Sequence, residues 1–473
     1  MKIIMKKRYV TSFIFAGILL FMGLSSCQVV NKYKAPEIED AYLFRAENPN
    51  DTTSIGSIPW REYFTDPYLQ ALIEEGLEQN FDLKVAYTRI RQAEVSLGIA
   101  RAAYFPTAAL AGQVQHNRVS RDADGRKDVL GNGSTNYSLG IAVQWEADIW
   151  GKLNRQSRAR YAQFLGSHAY RNLIQTSLIA NIANTYYSIL ALDEQLEVTR
   201  EMVELLKEST ETMQAMMQAG MLNGAAVEQS KSLLYSTQIG IPGLESQIRQ
   251  LENSLSTMLG RNPGPVLRRT LQDQTVPDRL EYGIPAQMLA RRPDVMQAEL
   301  AFRSAFELTN AAQAALYPSI TLGTGSMIGY AATTLSSFFR PENLLLNVIG
   351  GLTQPLFAGK QLIGQVKISK AQQEEALLNF RQAVLSAGQE VSDILFTFES
   401  SLKKSEFRAK QIESTNTAVY FTQELLKAGE ANYTEVLNAQ QSMLQAELGQ
   451  VSDKLEQLQA TVNLYRALGG GVE

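Results

Sequence analysis

Across residues 137–147 apolar and polar side chains alternate without a break. Leu139, Ile141, Val143 and Trp145 share one parity, and Ser138, Gly140, Ala142 and Gln144 the other. A period of two is the pattern of a β-strand with two unlike faces; here one face suits lipid and the other water, as in a barrel wall. A neighbouring strand is predicted around residues 110–117, and counterparts around 319–330 and 344–352, the last with a weaker pattern. The stretches between the strands of each pair, 121–134 and 331–342, are polar or Gly-rich and read as exposed loops.

The rest of the chain follows a longer period. Residues 154–220 hold no proline and almost no glycine; at 1.5 Å per residue a helix of that length rises about 100 Å. Residues 360–429 form a stretch of similar length. Ile182, Ile189, Leu196 and Val203 recur every seven residues, with Leu192, Leu206 and Met213 at the other seam position; Leu437, Leu444, Val451, Leu458 and Tyr465 do the same near the C-terminus. A stripe that keeps a period of seven without drifting predicts coiled-coil packing. Shorter helices are predicted over 66–104 and 224–259, each about half the long length, with a kink where Gly240, Pro242 and Gly243 interrupt the second.

The pattern is written twice. Ala102-Ala103-Tyr104-Phe105-Pro106-Thr107 is answered by Ala314-Ala315-Leu316-Tyr317-Pro318-Ser319, an offset of 318 minus 106, or 212, and Asp82 is answered by Asp294. Gly151-Lys152 pairs with Gly359-Lys360, Ala219-Gly220 with Ala428-Gly429, and Leu259-Gly260 with Leu468-Gly469. A repeat this long means two copies of a half-protein rather than a solenoid unit. The expected organisation is a signal over 1–26, an N-terminal segment over 27–65, a first structural repeat over 66–260, a linker over 261–285 running across the outside, and a second repeat over 286–473.

Lys2, Lys6, Lys7 and Arg8 followed by an apolar run over 13–24 have the form of a secretory signal, too short for a confident membrane span. It ends in Leu24-Ser25-Ser26-Cys27, which resembles the lipobox of bacterial lipoproteins, and Cys27 is the only cysteine. A lone thiol has no disulfide partner to explain it, so Cys27 is the expected site of a covalent lipid. Beyond the signal no apolar run is long enough for a transmembrane helix, and a membrane crossing therefore falls to strands in a closed barrel. Four strands per chain cannot enclose a water-filled lumen, so the barrel must be shared between copies. The formal net charge of −4 and the lack of long basic runs argue against nucleic acid as a partner.

Several motifs together resemble the TolC family of outer-membrane efflux proteins, specifically its lipoprotein branch, which pairs with resistance-nodulation-division pumps. They are Phe64-Thr65-Asp66-Pro67-Tyr68-Leu69 with Leu72-Ile73; Asn80-Phe81-Asp82-Leu83; Trp145-Glu146-Ala147-Asp148-Ile149-Trp150-Gly151-Lys152; Leu289-Ala290-Arg291-Arg292-Pro293-Asp294-Val295; and Pro355-Leu356-Phe357. The resemblance implies a mixed α and β membrane protein. It would be a homotrimer with a twelve-stranded outer-membrane β-barrel, four strands per chain, continuous with a long periplasmic α-helical coiled-coil barrel and reaching about 140 Å in all. It also implies a periplasmic adaptor and an inner-membrane pump as partners. The turns Gly220-Met221-Leu222-Asn223 and Gly429-Glu430-Ala431-Asn432 would be the tips that meet the adaptor. Glu435 and Asn438 match the ring of acidic residues at the periplasmic aperture, although Asn438 is an amide where the family pattern is acidic. A surface glutamate on a helix and ordinary helix-ending glycines are the plainer readings of the same residues.

Little in the chain suggests catalysis or a metal or nucleotide cofactor. His116 and His168 do not sit in ligand-spaced clusters. Gly323-Thr324-Gly325 lies in a predicted strand with no helix after it, outside the context of a dinucleotide fingerprint. Trp145 and Trp150 suit either a membrane interface or packing beneath a barrel. The function implied by the resemblance is passive export of small toxic compounds or drugs. Met213, Met216, Met217 and Met221 near one tip keep heavy-metal export open, although methionines at helical spacing are usually packing residues. The chain is also compatible with protein export, and with a coiled-coil lipoprotein that has no pore.

Overall fold

The computed structural model describes residues 31–37, 54–117, 133–280, 282, 291–323 and 325–472. Cys27 and most of the predicted 121–134 loop lie outside the described residues. The chain divides into two units, one of residues 1–36, 91–165 and 299–378, the other of 37–90, 166–298 and 379–473.

The first unit holds the sheet. Strands β1 (Thr107–Asn117) and β2 (Ser134–Ala147) pair antiparallel over their length, Leu110 opposite Ile141. The remaining two predicted strands are present, but each is broken in two. β3 (Ser319–Leu322) and β4 (Met327–Ala332) pair with successive parts of β2, while β5 (Leu344–Asn347) and β6 (Gly350–Thr353) flank β4 and β3.

The breaks have a local cause. Gly323 and Gly325 take φ of 150° and 96°, which β-carbon sterics deny to other residues. The buried Ser326 then ties the two breaks together, its Oγ accepting from Ile349 N at 2.8 Å while Gly323 N donates to Ile349 O at 2.9 Å. Such interruptions bend a strand and sharpen its twist.

Opposed residues share a face, so register decides what that face is made of. Leu110, Ile141, Ile328 and Leu346 form one row across the sheet, and Gly112, Leu139, Tyr330 and Leu344 the next. Toward the β3 end Trp145 lies opposite Leu322, and Ala147 opposite Ile320. The other face carries rows such as Gln113, Ser138 and Ala331. Leu110 is 77% exposed and Leu346 68%, which shows that the apolar rows are not part of the chain's own core.

Helices make up the remainder: α1 (Trp60–Tyr63), α2 (Pro67–Gln79), α3 (Phe81–Ala102), α4 (Lys152–Gln218), α5 (Gly224–Met258), α6 (Pro293–Ala314), α7 (Gln361–Lys427) and α8 (Tyr433–Ala467). Their lengths match in pairs: 22 residues for α3 and α6, 67 for α4 and α7, 35 for α5 and α8. The helix expected over 66–104 is divided at Asn80, whose ψ of 130° is extended. Asn80 Oδ1 accepts from Leu83 N at 2.9 Å and so caps α3. α5 runs unbroken through Pro242.

The second unit contains the main core. Ile182, Ile189, Leu196 and Val203, the first heptad series, are all buried, as are Val451, Leu458 and Tyr465 of α8. The linker residues Val266, Leu271 and Leu280 are buried in the same core, so this segment is a packed part of the unit rather than an outer link. Arg268 fastens it to Asp193 at 2.5 Å and Glu252 at 2.6 Å.

At the centre of this unit the Tyr186 hydroxyl donates to Asp66 Oδ2 at 2.7 Å and accepts from Arg269 N at 3.1 Å. Gln274 Nε2 also donates to Asp66 Oδ2, at 2.8 Å, and Tyr68 N to Oδ1 at 2.9 Å. Burial above all, with the Asp66 carboxylate adding to it, pushes the Tyr186 hydroxyl above the ordinary phenol range and keeps it a donor. Tyr186→Phe removes one donor to a buried carboxylate and one acceptor, a loss of about 1–3 kcal/mol. Thermal melting of the purified variant should show a lower midpoint, and an unchanged midpoint would mean that the network adds nothing to stability.

Candidate functional site

The two predicted turns have the same construction. After α4, Gly220 adopts φ 77° and the chain closes with Gly220 N to Met217 O (3.0 Å) and Met221 N to Met216 O (2.9 Å). After α7, Gly429 also adopts φ 77°, with Gly429 N to Leu426 O (3.0 Å) and Glu430 N to Leu425 O (2.9 Å). This is the left-handed helix ending that glycine permits. The following helices are capped alike: Asn223 Oδ1 accepts from Ala226 N and Asn432 Oδ1 from Thr434 N, both at 3.2 Å.

A small core joins the two turns. Met213, Val227, Leu426 and Val436 are buried together, with Met216, Met217, Leu222, Tyr433 and Leu437 packed around them. Gly220, Met221, Gly429 and Glu430 are exposed, while Leu222 is half-buried against that core. The methionine series is therefore mostly packing, and only Met221 projects into solvent, 55% exposed.

Glu435 sits in the first turn of α8 and Asn438 one turn later, both exposed. At three residues apart they share a helix face. Asn438 also borders a shallow groove between α5 and α8, beside Ser232, Leu233 and Leu437. A carboxylate in a first helical turn is favoured by the helix dipole in any case.

Within two of the quoted motifs, individual residues take structural roles that the sequence did not assign to them. Arg292 is buried; its Nη1 donates to Ala467 O at 2.9 Å and pairs with Glu390 at 2.8 Å, and its Nε and Nη2 hold Asp294 at 3.0 and 2.7 Å. Arg466 pairs with the same Glu390. Asn80, at the offset-equivalent position, donates from Nδ2 to Met258 O at 2.8 Å. The same helix ending is thus closed once by a neutral amide and once by an ion-pair network.

Just past the end of β2, Trp150 Nε1 donates to Pro318 O at 2.7 Å and its ring packs 5.0 Å from Tyr317. Trp145 Nε1 donates to Tyr104 O at 2.8 Å. His116 Nδ1 lies 2.9 Å from Thr135 Oγ1, a contact between β1 and β2. Among the described residues no group of three or more His, Cys, Asp or Glu could hold a metal ion.

A sheet with one lipid-type face, together with long helical hairpins, suits an outer-membrane transport protein. The profile of the outer membrane efflux protein family matches residues 72–261 and 284–470, and the chain belongs to that family. It is an outer-membrane transport protein, not an enzyme. It is 26% identical over 456 residues to "Probable outer membrane lipoprotein SilC" of Salmonella typhimurium, covering 96% of this chain and 97% of that one. It is 29% identical to "Pyoverdine export outer membrane protein OpmQ" of Pseudomonas putida, covering 87% and 88%. Among solved structures, the outer-membrane channel OprN superposes with a TM-score of 0.85 at 23% identity, covering 94% of this chain and 100% of that one.

The Arg292 network makes a pH prediction. Burial raises the Asp294 carboxyl, but its paired bonds from Arg292 outweigh that and hold it below the ordinary carboxylate range. A depressed carboxyl contributes stability in full above the unfolded value, about 3.9, and loses it as pH falls through the folded value. Melting midpoints measured downward from about pH 5 should drop less steeply below about pH 4 in Asp294→Asn than in the parent; identical slopes would remove Asp294 from the acid response.

Proposed function

We propose that three copies of this chain join their sheets edge to edge in the outer membrane to form a twelve-stranded barrel. On this reading the trimer is the passive exit duct of a tripartite efflux pump. The observation that carries it is the sheet's pair of free edges. Among the described residues β1 pairs only with β2 on one side, and β5 and β6 pair only with β4 and β3 on the other. In hydrocarbon an unpaired backbone group costs several kcal/mol, so an apolar-faced sheet with open edges needs neighbours to close it. The count of three comes from the family resemblance.

Duplication of the chain is supported by the matched helix lengths and by the positive φ of Gly220 and Gly429, and of Gly260 and Gly469. The covalent lipid is assigned to Cys27; SilC, a relative along nearly the whole chain, bears the word lipoprotein in its name. The exposed residues of the hairpin turns, Gly220, Met221, Gly429 and Glu430, are the proposed contacts for a periplasmic adaptor, with Leu222 shaping the turn from within. Behind the adaptor stands an inner-membrane resistance-nodulation-division pump. Glu435 and Asn438 are assigned to the periplasmic aperture, where a ring of carboxylates favours cations.

Small toxic compounds or drugs are the proposed cargo, since a passive duct leaves selectivity to the pump. The tip methionines are largely occupied in packing and do not by themselves argue for heavy-metal export, which stays the alternative cargo.

The test is single-channel conductance in a planar bilayer, with the oligomeric mass of the same preparation. A trimer with small, cation-selective conductance is expected; a monomer without conductance would overturn the duct. Glu435→Gln should reduce the cation preference, and unchanged ion selectivity would remove Glu435 from the aperture.

A further inference from the structure

Polar side chains that the fold itself leaves unused gather between α6 residues 302–313 and α7 residues 370–377. The floor of this cleft is closed where Thr309 Oγ1 donates to the carbonyl of the buried Ser369 at 2.9 Å. One wall is Phe302 and Phe306, backed by Tyr33, whose ring centroid lies 6.0 Å from that of the first and 5.6 Å from that of the second. The cavity has a volume of about 370 Å³ and is bordered also by Asn310, Gln313, Lys370 and Glu374. Asn310 is only 2% exposed. Its Nδ2 donates to Asn31 O at 3.4 Å, and its Oδ1 has no hydrogen-bond partner among the described residues. A buried acceptor without a donor is costly, and a ligand that brings an N–H removes the cost.

Lys370 and Glu374, both exposed, stand one turn apart on α7. Elsewhere in the chain Glu204 and Lys207, Glu228 and Lys231, Glu406 and Lys410, and Glu424 and Lys427 close on each other as ion pairs, in each case with the glutamate first. Lys370 and Glu374 run in the opposite order, the less favourable one along a helix, and neither has an ion-pair partner among the described residues. Two turns before Lys370, on the same stripe and at the end of α7 that follows β6, Ile363 is 58% exposed. Read away from the sheet, one stripe of α7 thus presents an apolar side chain, a cation about 10 Å farther on and an anion about 6 Å beyond it.

We propose that this cleft seats the headgroup of a bilayer phospholipid whose phosphate carries a primary amine two carbons away. This rests on the reading of the sheet as a wall in the outer membrane and adds a lipid partner to it. The Lys370 ammonium binds the phosphate, Glu374 and Asn310 Oδ1 accept from the headgroup amine, and the acyl chains pass Ile363 toward the apolar rows of the sheet. Acyl chain, phosphate and amine follow one another in the lipid as apolar, cationic and anionic side chains do on the stripe. A fully methylated amine has no N–H for Asn310 Oδ1, and an anionic headgroup without an amine leaves Glu374 facing like charge. A soluble amino phosphate would match Lys370 and Glu374 but leave Ile363 uncovered, so the stripe favours the membrane lipid.

The test titrates the full chain in detergent with short-chain phospholipids of equal acyl length and reads binding by calorimetry. Dihexanoyl phosphatidylethanolamine should bind about tenfold more tightly than the matching phosphatidylcholine or phosphatidylglycerol. Lys370→Ala and Glu374→Gln, at exposed positions that leave the core untouched, should each weaken it about tenfold, and Glu374→Gln should also remove most of the preference over phosphatidylcholine. Free phosphoethanolamine should bind far more weakly than the lipid; equal binding would make the ligand a soluble amino phosphate and overturn the lipid. Equal affinity for the three lipids, or affinity unchanged by both substitutions, overturns the headgroup site. Single-channel conductance of the same preparation separates the two readings. A conducting chain without lipid preference overturns the site alone, whereas a chain without conductance overturns the duct and the lipid partner that rests on it.

Discussion

In a bilayer core a backbone N–H or C=O has only protein to bond with, and this requirement governs the chain's β portion. Each strand presents Leu, Ile, Val or Tyr side chains on one parity, and register lines them up into continuous rows such as Leu110, Ile141, Ile328 and Leu346. The outer edges of the same sheet are left without partners among the described residues. A lipid-type face and open edges on one sheet are the two demands that any placement of this sheet in a membrane has to meet.

The junctions between strands and helices hold their geometry through a few directional bonds. Trp145 and Trp150 each pin a backbone carbonyl of the turn leading into a strand, Tyr104 before β1 and Pro318 before β3. Beneath the sheet Glu307, fully buried, pairs with Arg155 at 2.8 Å and with Arg158 at 3.7 Å; removing Glu307 would leave the buried Arg155 without its counter-charge, at a cost of about 3–5 kcal/mol. Gly140 and Gly329 meet so closely that a β-carbon on Gly329 would lie 2.3 Å from Leu139 O. These positions explain why a wall made of ordinary strands needs glycine and tryptophan at particular points.

Equivalent places in the two halves are solved with different chemistry. Asn80 closes one helix end with a neutral amide, whereas Arg292, Glu390 and Arg466 close the other with charges. In the second hairpin, Arg408 reaches Asp453 at 2.9 Å across a place kept open by Gly449, whose added β-carbon would meet the guanidinium at 2.6 Å. Ion pairs respond to pH and salt where amides do not, so these places in the second half are sensitive to charge where Asn80 is not.

The alternation of the strands, the heptad seams of α4 and α8, the glycines that end the hairpin helices, and the family were all legible in the amino-acid order. Each is a local or periodic property: side-chain parity, a seven-residue spacing, or the φ that only glycine adopts easily. The rest arose only on folding. The interruption at Gly323–Ser326 depends on Ser326 meeting Ile349, and the break at Asn80 on Met258, 178 residues away. The linker read as an outer connection became core because Val266 and Leu271 found an apolar surface to bury, with Arg268 satisfied by Asp193 and Glu252. Tyr33 gave no sign in the sequence that it would sit against Phe302 and Phe306. Contacts between residues far apart in the chain leave no period to read, because their energy depends on which surfaces the folded backbone brings together.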